Sequence, residues 1–312
     1  MSGKFLSNPI DLYLRNLGAV CLIASLPTGV WAADQGAAST GSGGGDLATA
    51  ATNPVGSANQ FQLQYLYADE SNNASGSANT AIIQPIVTFA LPEGSYFQSI
   101  VTRWTIPYIS TPDVDTPFDF SIDEEDWGDT LGLIFPTHTT PGEKAGEFTT
   151  WGPGLAVSIP TSGGGLTDAA PGGLTGNDTW AAGPGIVFLK NKVFANGNSL
   201  MYGGAAWHLW DIENGKADVS VTSGFPAIIY KYKELFGQKG WYLRTTDDAF
   251  SYNHETSEWT QVPLGGGIGR AFVIGKQPVN IFGAVWTNGA DPDEASTPEW
   301  AAKISFSFVF PK

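Results

Sequence analysis

The closing stretch AAKISFSFVFPK, residues 301–312, alternates between two kinds of side chain. Ile304, Phe306 and Phe308 share one face of an extended strand, because side chains in a strand alternate with a period of two. Lys303 and the serines beside it share the opposite face. The pattern predicts a β-strand with one bulky apolar face and one small polar face. A soluble sandwich shows the same alternation with its apolar face inward, so this strand alone leaves the direction of the apolar face open.

The stretch QFQLQYLY, residues 60–67, indicates that direction. Its glutamines lie on one face and its bulky apolar residues on the other, and a row of glutamines suits a wet interior better than a dry core. Arg103 and Lys303 lie within predicted strands and are also expected to face inward, because a charge in lipid at mid-bilayer costs roughly 2 to 4 kcal/mol. The candidate lumen-lining residues are therefore Gln60, Gln62, Gln64, Arg103, Lys303, Ser305 and Ser307.

Strand signals fill the chain after residue 58, and no helical periodicity interrupts them. The predicted strands are 60–67, 82–91, 96–109, 130–137, 147–160, 178–189, 199–210, 219–230, 241–246, 259–274, 279–286 and 300–310. Most have the length that a tilted membrane strand needs, and an even number suits a closed antiparallel barrel. The sequence predicts an all-β fold, a transmembrane antiparallel up-and-down β-barrel of about 12 strands.

The connections between these strands alternate in length and in charge. Short connections follow the second and tenth strands, whereas long ones follow the third, fifth and eleventh, as in outer-membrane barrels. Most of the 30 acidic residues, Asp248 among them, fall in odd-numbered connections, and most lysines fall in even-numbered ones. The pattern predicts an acidic outer rim, a basic periplasmic rim and a mouth that favours cations.

One long connection is notably acidic. Its carboxylates are Asp113, Asp115, Asp119, Asp123, Glu124, Glu125 and Asp126. The run lacks the spacing and the turn glycine of an EF-hand loop, so it predicts a solvated outer loop and no dedicated metal site. Loose binding of divalent cations beside anionic lipid headgroups is the alternative interpretation.

The N-terminus has the pattern of an export signal. A basic region and a short apolar core precede Val30-Trp31-Ala32, which predicts a cleaved signal peptide over 1–32. Residues 33–58 are small, polar and rich in glycine, which predicts a flexible periplasmic leader before a barrel over 59–312. An exported β-barrel of this kind is expected in the outer membrane of a Gram-negative bacterium.

Other motifs argue against chemistry on a substrate. The glycine-rich stretch 265–269 precedes no helix and no Lys-Ser/Thr pair, so it predicts close strand packing rather than a nucleotide site. Three histidines are scattered along the chain, with His208 the only one on a predicted strand, and no G-x-S-x-G or H-E-x-x-H motif occurs. The sequence therefore predicts no enzyme, no cofactor, no metal and no nucleic-acid partner, with a barrel lipase using His208 as a minor alternative.

Several stretches resemble a known family of bacterial outer-membrane barrels. They are GSYFQSIVTRWTIPYI, TTWGPGLAVSIPT, TWAAGPGIVFLKN, GWYLRTT, EWTQVPLGGGIGRAFVIGKQPVN and ISFSFVFPK. The family is usually described as transporters of the MetA pathway of phenol degradation. The resemblance runs from about residue 53 to the C-terminus and is most specific over 152–160 and 262–280. It implies a β-barrel and uptake of small solutes, aromatic ones among them, and it assigns no catalytic residue.

These observations lead to a functional expectation and its rivals. The expected protein is an outer-membrane channel or transporter for passive uptake of small solutes, with aromatic or hydrophobic compounds as candidates. Its expected partners are outer-membrane lipid, lipopolysaccharide and the solute. The main alternative is a structural or adhesive outer-membrane barrel with a blocked lumen. A secreted soluble β-sandwich that binds carbohydrate is less favoured.

Overall fold

The computed structural model describes residues 58–69, 77–110, 114–115, 121–122, 125–162, 179–213, 218–246, 248–290 and 298–310. The predicted signal peptide and nearly all of the predicted leader lie outside the described residues. Within the described part of the chain every regular element is a β-strand. The same part contains no helix that is long and apolar enough to cross a membrane.

The strands follow one another along the chain with short and long connections. They are β1 (Asn59–Ala68), β2 (Ala78–Ala90), β3 (Ser99–Ser110), β4 (Val114–Asp115), β5 (Ser121–Ile122), β6 (Glu125–Trp127), β7 (Thr130–Pro141), β8 (Phe148–Ile159), β9 (Ala181–Val193), β10 (Ser199–Asp211), β11 (Ser220–Lys231), β12 (Trp241–Thr245), β13 (Phe250–Asn253), β14 (Glu258–Gln261), β15 (Pro263–Ile274), β16 (Gln277–Asn288) and β17 (Trp300–Phe310).

Antiparallel pairing closes all of these strands except β4 and β5 into a barrel. Neighbours in sequence are neighbours in the sheet, and the first strand pairs with the last, with Gln62 opposite Ser307. β12 and β13 both pair with β11, so these two short strands together occupy one position in the barrel wall. β14 and β15 together occupy the next position. The wall therefore has 12 strand positions, and the predicted fold class is confirmed.

The structure changes three details of the predicted strands. β13 continues the ninth predicted strand beyond residue 246, after an interruption in the ladder. The connection 111–129 contains the β4–β5 pair and β6, which extends the sheet beside β3. His138 lies on β7, so the prediction that His208 is the only histidine on a strand was wrong.

The two ends of the barrel differ in their connections. One end, here called the turn end, carries the connections 91–98, 142–147, 194–198, 232–240 and 275–276. The first residue of β1, residue 59, and the last residue of β17, residue 310, also lie at this end. The tightest turn joins β15 to β16 through two residues, and Gly275 adopts the left-handed φ of 62° that such a turn needs. The opposite end, here called the loop end, carries the longer connections.

The outward face of the wall is apolar. On β1 the outward residues Phe61, Leu63 and Tyr65 are exposed, whereas the glutamines between them are buried. On β17 the outward Ile304 and Phe310 are exposed, whereas the lysine and serines between the apolar residues are buried. The polar face of both strands therefore points into the barrel, as the glutamine row predicted. Such an inside-out alternation characterises a transmembrane β-barrel.

Candidate functional site: the barrel interior

The interior of the barrel holds the predicted lumen residues. All seven of them are buried and lie at inward positions of β1, β3 and β17. Even Arg103, the longest of these side chains, is only 1% exposed. Whether these residues line a path for a solute stays a prediction.

Two sides of this interior differ in chemistry. One side, here called the polar wall, consists of the inward side chains of β1, β2, β16 and β17. The opposite side, here called the apolar wall, consists of the inward side chains of β7 to β11. The strand order places the two on opposite sides of the barrel, because β3 separates them on one side and β12 and β15 on the other.

A ladder of amides runs along the polar wall. Gln62 Nε2 donates to Gln60 Oε1 at 3.1 Å, and Gln64 Nε2 donates to Gln62 Oε1 at 3.2 Å. Gln64 Nε2 also donates to Gln84 Oε1 at 3.0 Å, and Gln84 Nε2 donates to Thr105 Oγ1 on β3 at 2.8 Å. The ladder gives each buried amide at least one partner, which buried polar groups require. It extends the glutamine row predicted on β1 across two further strands.

A buried ion pair lies toward the loop end of the interior. Lys303 Nζ contacts Asp248 Oδ2 at 3.2 Å, and both side chains are completely buried. Asp248 lies between β12 and β13, where the chain leaves the ladder, and it accepts a further hydrogen bond from Thr246 Oγ1 at 2.7 Å. The assignment of Asp248 to a solvated outer rim was therefore wrong: the interruption between β12 and β13 lets the backbone carry this carboxylate inside.

Two interior guanidinium groups face aromatic rings. The guanidinium carbon of Arg244 lies 4.0 Å from the centre of the Phe282 ring, and that of Arg103 lies 5.6 Å from the centre of the Phe225 ring. Lys303 Nζ lies 5.5 Å from the centre of the Trp286 ring. Ring faces are electron-rich, so each contact stabilises a cation that burial would otherwise disfavour.

Most of the buried hydrophobic cluster lies on the apolar wall, although Ile86, Phe282 and Trp286 of the polar wall also belong to it. Its members on the apolar wall include Leu131, Leu133, Phe135, Phe148, Val187, Leu189, Met201, Trp207, Leu209, Val221, Phe225 and Ile229. Their outward neighbours are apolar as well, for example the exposed Ile186 and Phe188 on β9. When both faces of a strand are apolar, the sequence does not indicate which face points into the barrel. The prediction of a polar lumen therefore did not include the apolar wall.

Glycines on β15 leave room for interior aromatic rings. A Cβ at Gly269 would overlap the ring of Tyr242, and a Cβ at Gly265 would overlap the backbone of β16 at Val285 and Trp286. The Tyr242 ring stacks against Phe282 with centres 6.1 Å apart, and its hydroxyl donates to Asn280 Oδ1 at 2.9 Å. The glycine stretch 265–269 therefore serves close packing, which agrees with its interpretation as a strand.

Sequence patterns did not identify Gln84, Asn280, Tyr242 and Arg244 as interior residues of the site, although all four are buried there. Asn280 shares its face of β16 with Phe282 and the apolar residues beyond it, so alternation alone could not single it out. The available signal was cross-strand pairing, because Gln84 lies directly opposite Gln62.

Two of the three histidines, His208 and His254, lie together on the outer surface rather than in the interior. His208 Nδ1 and His254 Nε2 both hydrogen-bond to Thr222 Oγ1, at 2.7 and 2.8 Å, and their rings lie 5.2 Å apart. Trp210 packs beside His208 with ring centres 4.1 Å apart. The barrel-lipase alternative receives no support from this cluster, because the hydroxyl that both imidazoles contact belongs to Thr222 rather than to a serine.

The acidic outer loop is described only in part. Glu125 and Asp126 lie on β6, where Glu125 accepts a hydrogen bond from Ser110 Oγ at 3.2 Å. Asp115 lies on β4. The remaining carboxylates of the predicted set, Asp113, Asp119, Asp123 and Glu124, lie outside the described residues, and cation binding by this loop stays a prediction.

A carboxylate at the turn end is held by backbone groups. Glu147 accepts hydrogen bonds from the amides of Val193 at 3.1 Å and Lys144 at 3.3 Å. The hydrogen bond from Val193 is the main reason why the pKa of Glu147 lies below its ordinary value of 4.5, and Lys144 and Lys192 lower it further.

The fold and its interior define this protein as a transmembrane antiparallel β-barrel. No model of a known protein family matches the sequence. No curated protein matches it either.

Solved structures with a similar fold include an outer membrane channel from Pseudomonas putida F1. That likeness has a TM-score of 0.50 and 11% identity, and it covers 81% of this chain and 96% of the channel. The β domain of the Bordetella autotransporter BrkA matches with a TM-score of 0.46 and 12% identity, over 81% of this chain and 100% of that domain. A FadL homologue from Pseudomonas aeruginosa matches with a TM-score of 0.29 and 10% identity, over 86% and 92%. At such identities the first likeness shows the fold alone, and the other two carry no further argument.

Proposed function

We propose that this protein is an outer-membrane channel for the passive uptake of small solutes, with aromatic or hydrophobic compounds as the candidates. The supporting observation is the divided interior of a closed barrel, in which a hydrogen-bonding wall faces an apolar one. Eight strands leave an interior filled by side chains and sixteen leave an aqueous pore, so 12 strand positions imply a narrow passage.

Passage in this proposal requires no chemical step and no cofactor. The amides and hydroxyls of the polar wall would replace the water that a polar group on the solute loses on entry. The apolar wall would contact the remainder of the solute, which gains free energy when its apolar surface leaves water. Net movement would follow the concentration gradient.

The two ends of the barrel support an orientation in the outer membrane. Acidic residues at the loop end include Asp69, Asp126, Asp211, Asp218, Glu255 and Glu258, whereas the turn end carries both signs, with Lys144, Lys233, Lys239 and Lys276 beside Glu93, Glu143, Glu147 and Glu234. Long loops of outer-membrane barrels face the outside and short turns face the periplasm. The loop end would then meet lipopolysaccharide, and the N-terminal export signal would direct the chain to this membrane.

Flux through purified protein tests the proposal. The mature chain, residues 33–312, would be refolded into liposomes, and entry of neutral solutes would be compared between benzyl alcohol and a sugar of similar mass. Discrete single-channel steps in a planar bilayer and faster entry of benzyl alcohol than in protein-free liposomes are expected. Stable insertion without conductance or protein-dependent flux would overturn the proposal.

The structural or adhesive barrel is the second candidate. The observation that favours it is the nearly complete burial of the inward side chains, including Arg103 and Gln62. Deleting residues 111–124 distinguishes the two functions: an adhesive barrel would lose binding to its partner surface, whereas a channel would keep its solute flux.

A further inference from the structure

Three polar side chains on the polar wall have hydrogen-bonding atoms without a partner. They are Ser305 and Ser307 on β17 and Asn280 on β16, and all three residues are completely buried. Ser305 Oγ, Ser307 Oγ and Asn280 Nδ2 make no hydrogen bond to any residue that the structure describes. Leaving a buried polar group unsatisfied destabilises a folded protein. Three such groups side by side therefore require an explanation.

These three groups lie close together by register. Asn280 lies directly opposite Ser307 across the β16–β17 ladder, and Ser305 lies opposite Phe282. The amide of Asn280 has a defined orientation, because its Oδ1 accepts the hydrogen bond from Tyr242. Its Nδ2 is therefore presented as a donor beside two serine hydroxyls, which can donate as well.

Positive charge surrounds this group of donors. Lys303 lies two residues before Ser305 on the same inward face of β17. Arg244 lies over the ring of Phe282, the cross-strand neighbour of Ser305. Lys303 also contacts the carboxylate of Asp248 at 3.2 Å. Converging donors with a cationic surrounding match the chemistry of an anionic oxygen acceptor.

We infer that Ser305, Ser307 and Asn280 form a binding site for the carboxylate of a small organic anion. The inference rests on the proposed function, because the ligand has to enter the barrel interior. The stacked rings of Tyr242 and Phe282 adjoin the site and offer an apolar surface to the body of the ligand. Aromatic carboxylates are thus the preferred class of solute.

Equilibrium dialysis against the detergent-folded mature chain tests this site, with benzoate as the probe and benzamide as its neutral analogue. Wild-type protein is expected to bind benzoate at least about tenfold more tightly than benzamide, because hydrogen bonds to a charged acceptor are stronger than those to a neutral one. The double variant Ser305→Ala/Ser307→Ala is expected to lose about tenfold in affinity for benzoate. Both replacements remove an unsatisfied hydroxyl without adding volume, so the barrel should still fold.

Ser251→Ala serves as the matched control. Ser251 is also a buried inward serine, but its hydroxyl already shares a hydrogen bond of 3.0 Å with Ser223. The control is expected to bind benzoate like wild type. Unchanged benzoate binding in the double variant, an equal loss in the control, or equal binding of benzoate and benzamide would each overturn the inference.

The outcome separates this site from the proposed function. Benzoate binding that depends on Ser305 and Ser307 in a protein without solute flux would retain the site and refute the channel. Flux of benzyl alcohol in a protein whose benzoate binding ignores these serines would retain the channel and refute the site.

Discussion

The side chains of the polar wall and of the apolar wall both fill the barrel interior, but they do so through different interactions. On the polar wall, amides connect three strands, with Gln64 donating to Gln62 and to Gln84. On the apolar wall, side chains such as Leu133 and Phe135 fill the interior by packing alone. Hydrogen bonds have preferred directions whereas apolar contacts do not, so the polar wall is the side that can specify a ligand group.

The two walls differ in which of their buried serine hydroxyls have a partner. Ser223 on the apolar side shares a hydrogen bond with Ser251, whereas the hydroxyls of Ser305 and Ser307 on the polar wall have no partner among the described residues. The apolar wall also contains an unsatisfied group, the indole nitrogen of Trp207. On the side that faces β17 the ladder of glutamines ends at β1, so it does not reach the serines. The polar wall is therefore expected to recognise particular groups of a solute. The apolar wall is expected to accept solutes of different shapes.

Breaking the ion pair on the polar wall is expected to have the largest effect. Lys303→Met leaves Asp248 buried without the cation 3.2 Å away, and removing one partner of a buried pair costs about 3 to 5 kcal/mol. Urea unfolding in detergent micelles would measure this loss. The double variant Lys303→Met/Asp248→Asn is expected to recover most of the stability. A single variant as stable as wild type would mean that the pair contributes nothing to the fold.

Filling the glycine beneath Tyr242 is expected to have an intermediate effect. Gly269→Ala forces the Tyr242 ring away from β15, and overpacking of this kind costs about 1 to 3 kcal/mol. Gly283→Ala on the neighbouring β16 is the control, because a Cβ there would meet only the carbonyl oxygen of Lys303 at 3.9 Å. The two variants would be compared by the temperature at which the folded band disappears in gels. Equal loss in both would show that Tyr242 is not held by close contact.

Exchanging a polar for an apolar side chain, or the reverse, is expected to lower the free energy of unfolding by about 1 kcal/mol or more. Gln62→Leu removes two hydrogen bonds of the ladder and is expected to destabilise by about 1 kcal/mol. Leu209→Gln on the apolar wall, where the side chain is 3% exposed and lies opposite Val221, is expected to cost more, because its amide would be buried among apolar neighbours. Unfolding in urea would rank the two, and the reverse order would contradict the division of the interior.

The smallest effect is expected outside both walls, at Glu147. Because the folded pKa of Glu147 is lowered, its contribution to stability is present above its ordinary pKa of 4.5 and is lost as pH falls through the lowered value. Glu147→Gln is therefore expected to flatten the acid side of the stability profile, measured by unfolding between pH 3 and pH 7 as an approximate window. Glu143→Gln, a change of equal charge in the same turn, is the control. An identical profile in both variants would show that the backbone contacts of Glu147 have no effect.

Much of the fold was predictable from alternation. β1 and β17 carry opposite chemistry on their two faces, so period-two patterning identified both the strands and the residues that point inward. The prediction failed at Asp248, because the inward course of the chain between β12 and β13 depends on how that segment meets Lys303 on another strand. The alternation also did not indicate which face of β9 and of β10 points inward, because both faces of these strands are apolar.

The sequence by itself determined a β-rich chain, the number of wall positions and the inward direction of its glutamines and serines, because these depend on local periodicity. Only the tertiary structure decided that Asn280 stands opposite Ser307, that Arg244 lies over Phe282 and that Asp248 reaches Lys303. Each of these contacts joins residues far apart in sequence, and barrel closure with its register brings them together. The alternation of side chains along one strand does not predict which residues of distant strands will contact it.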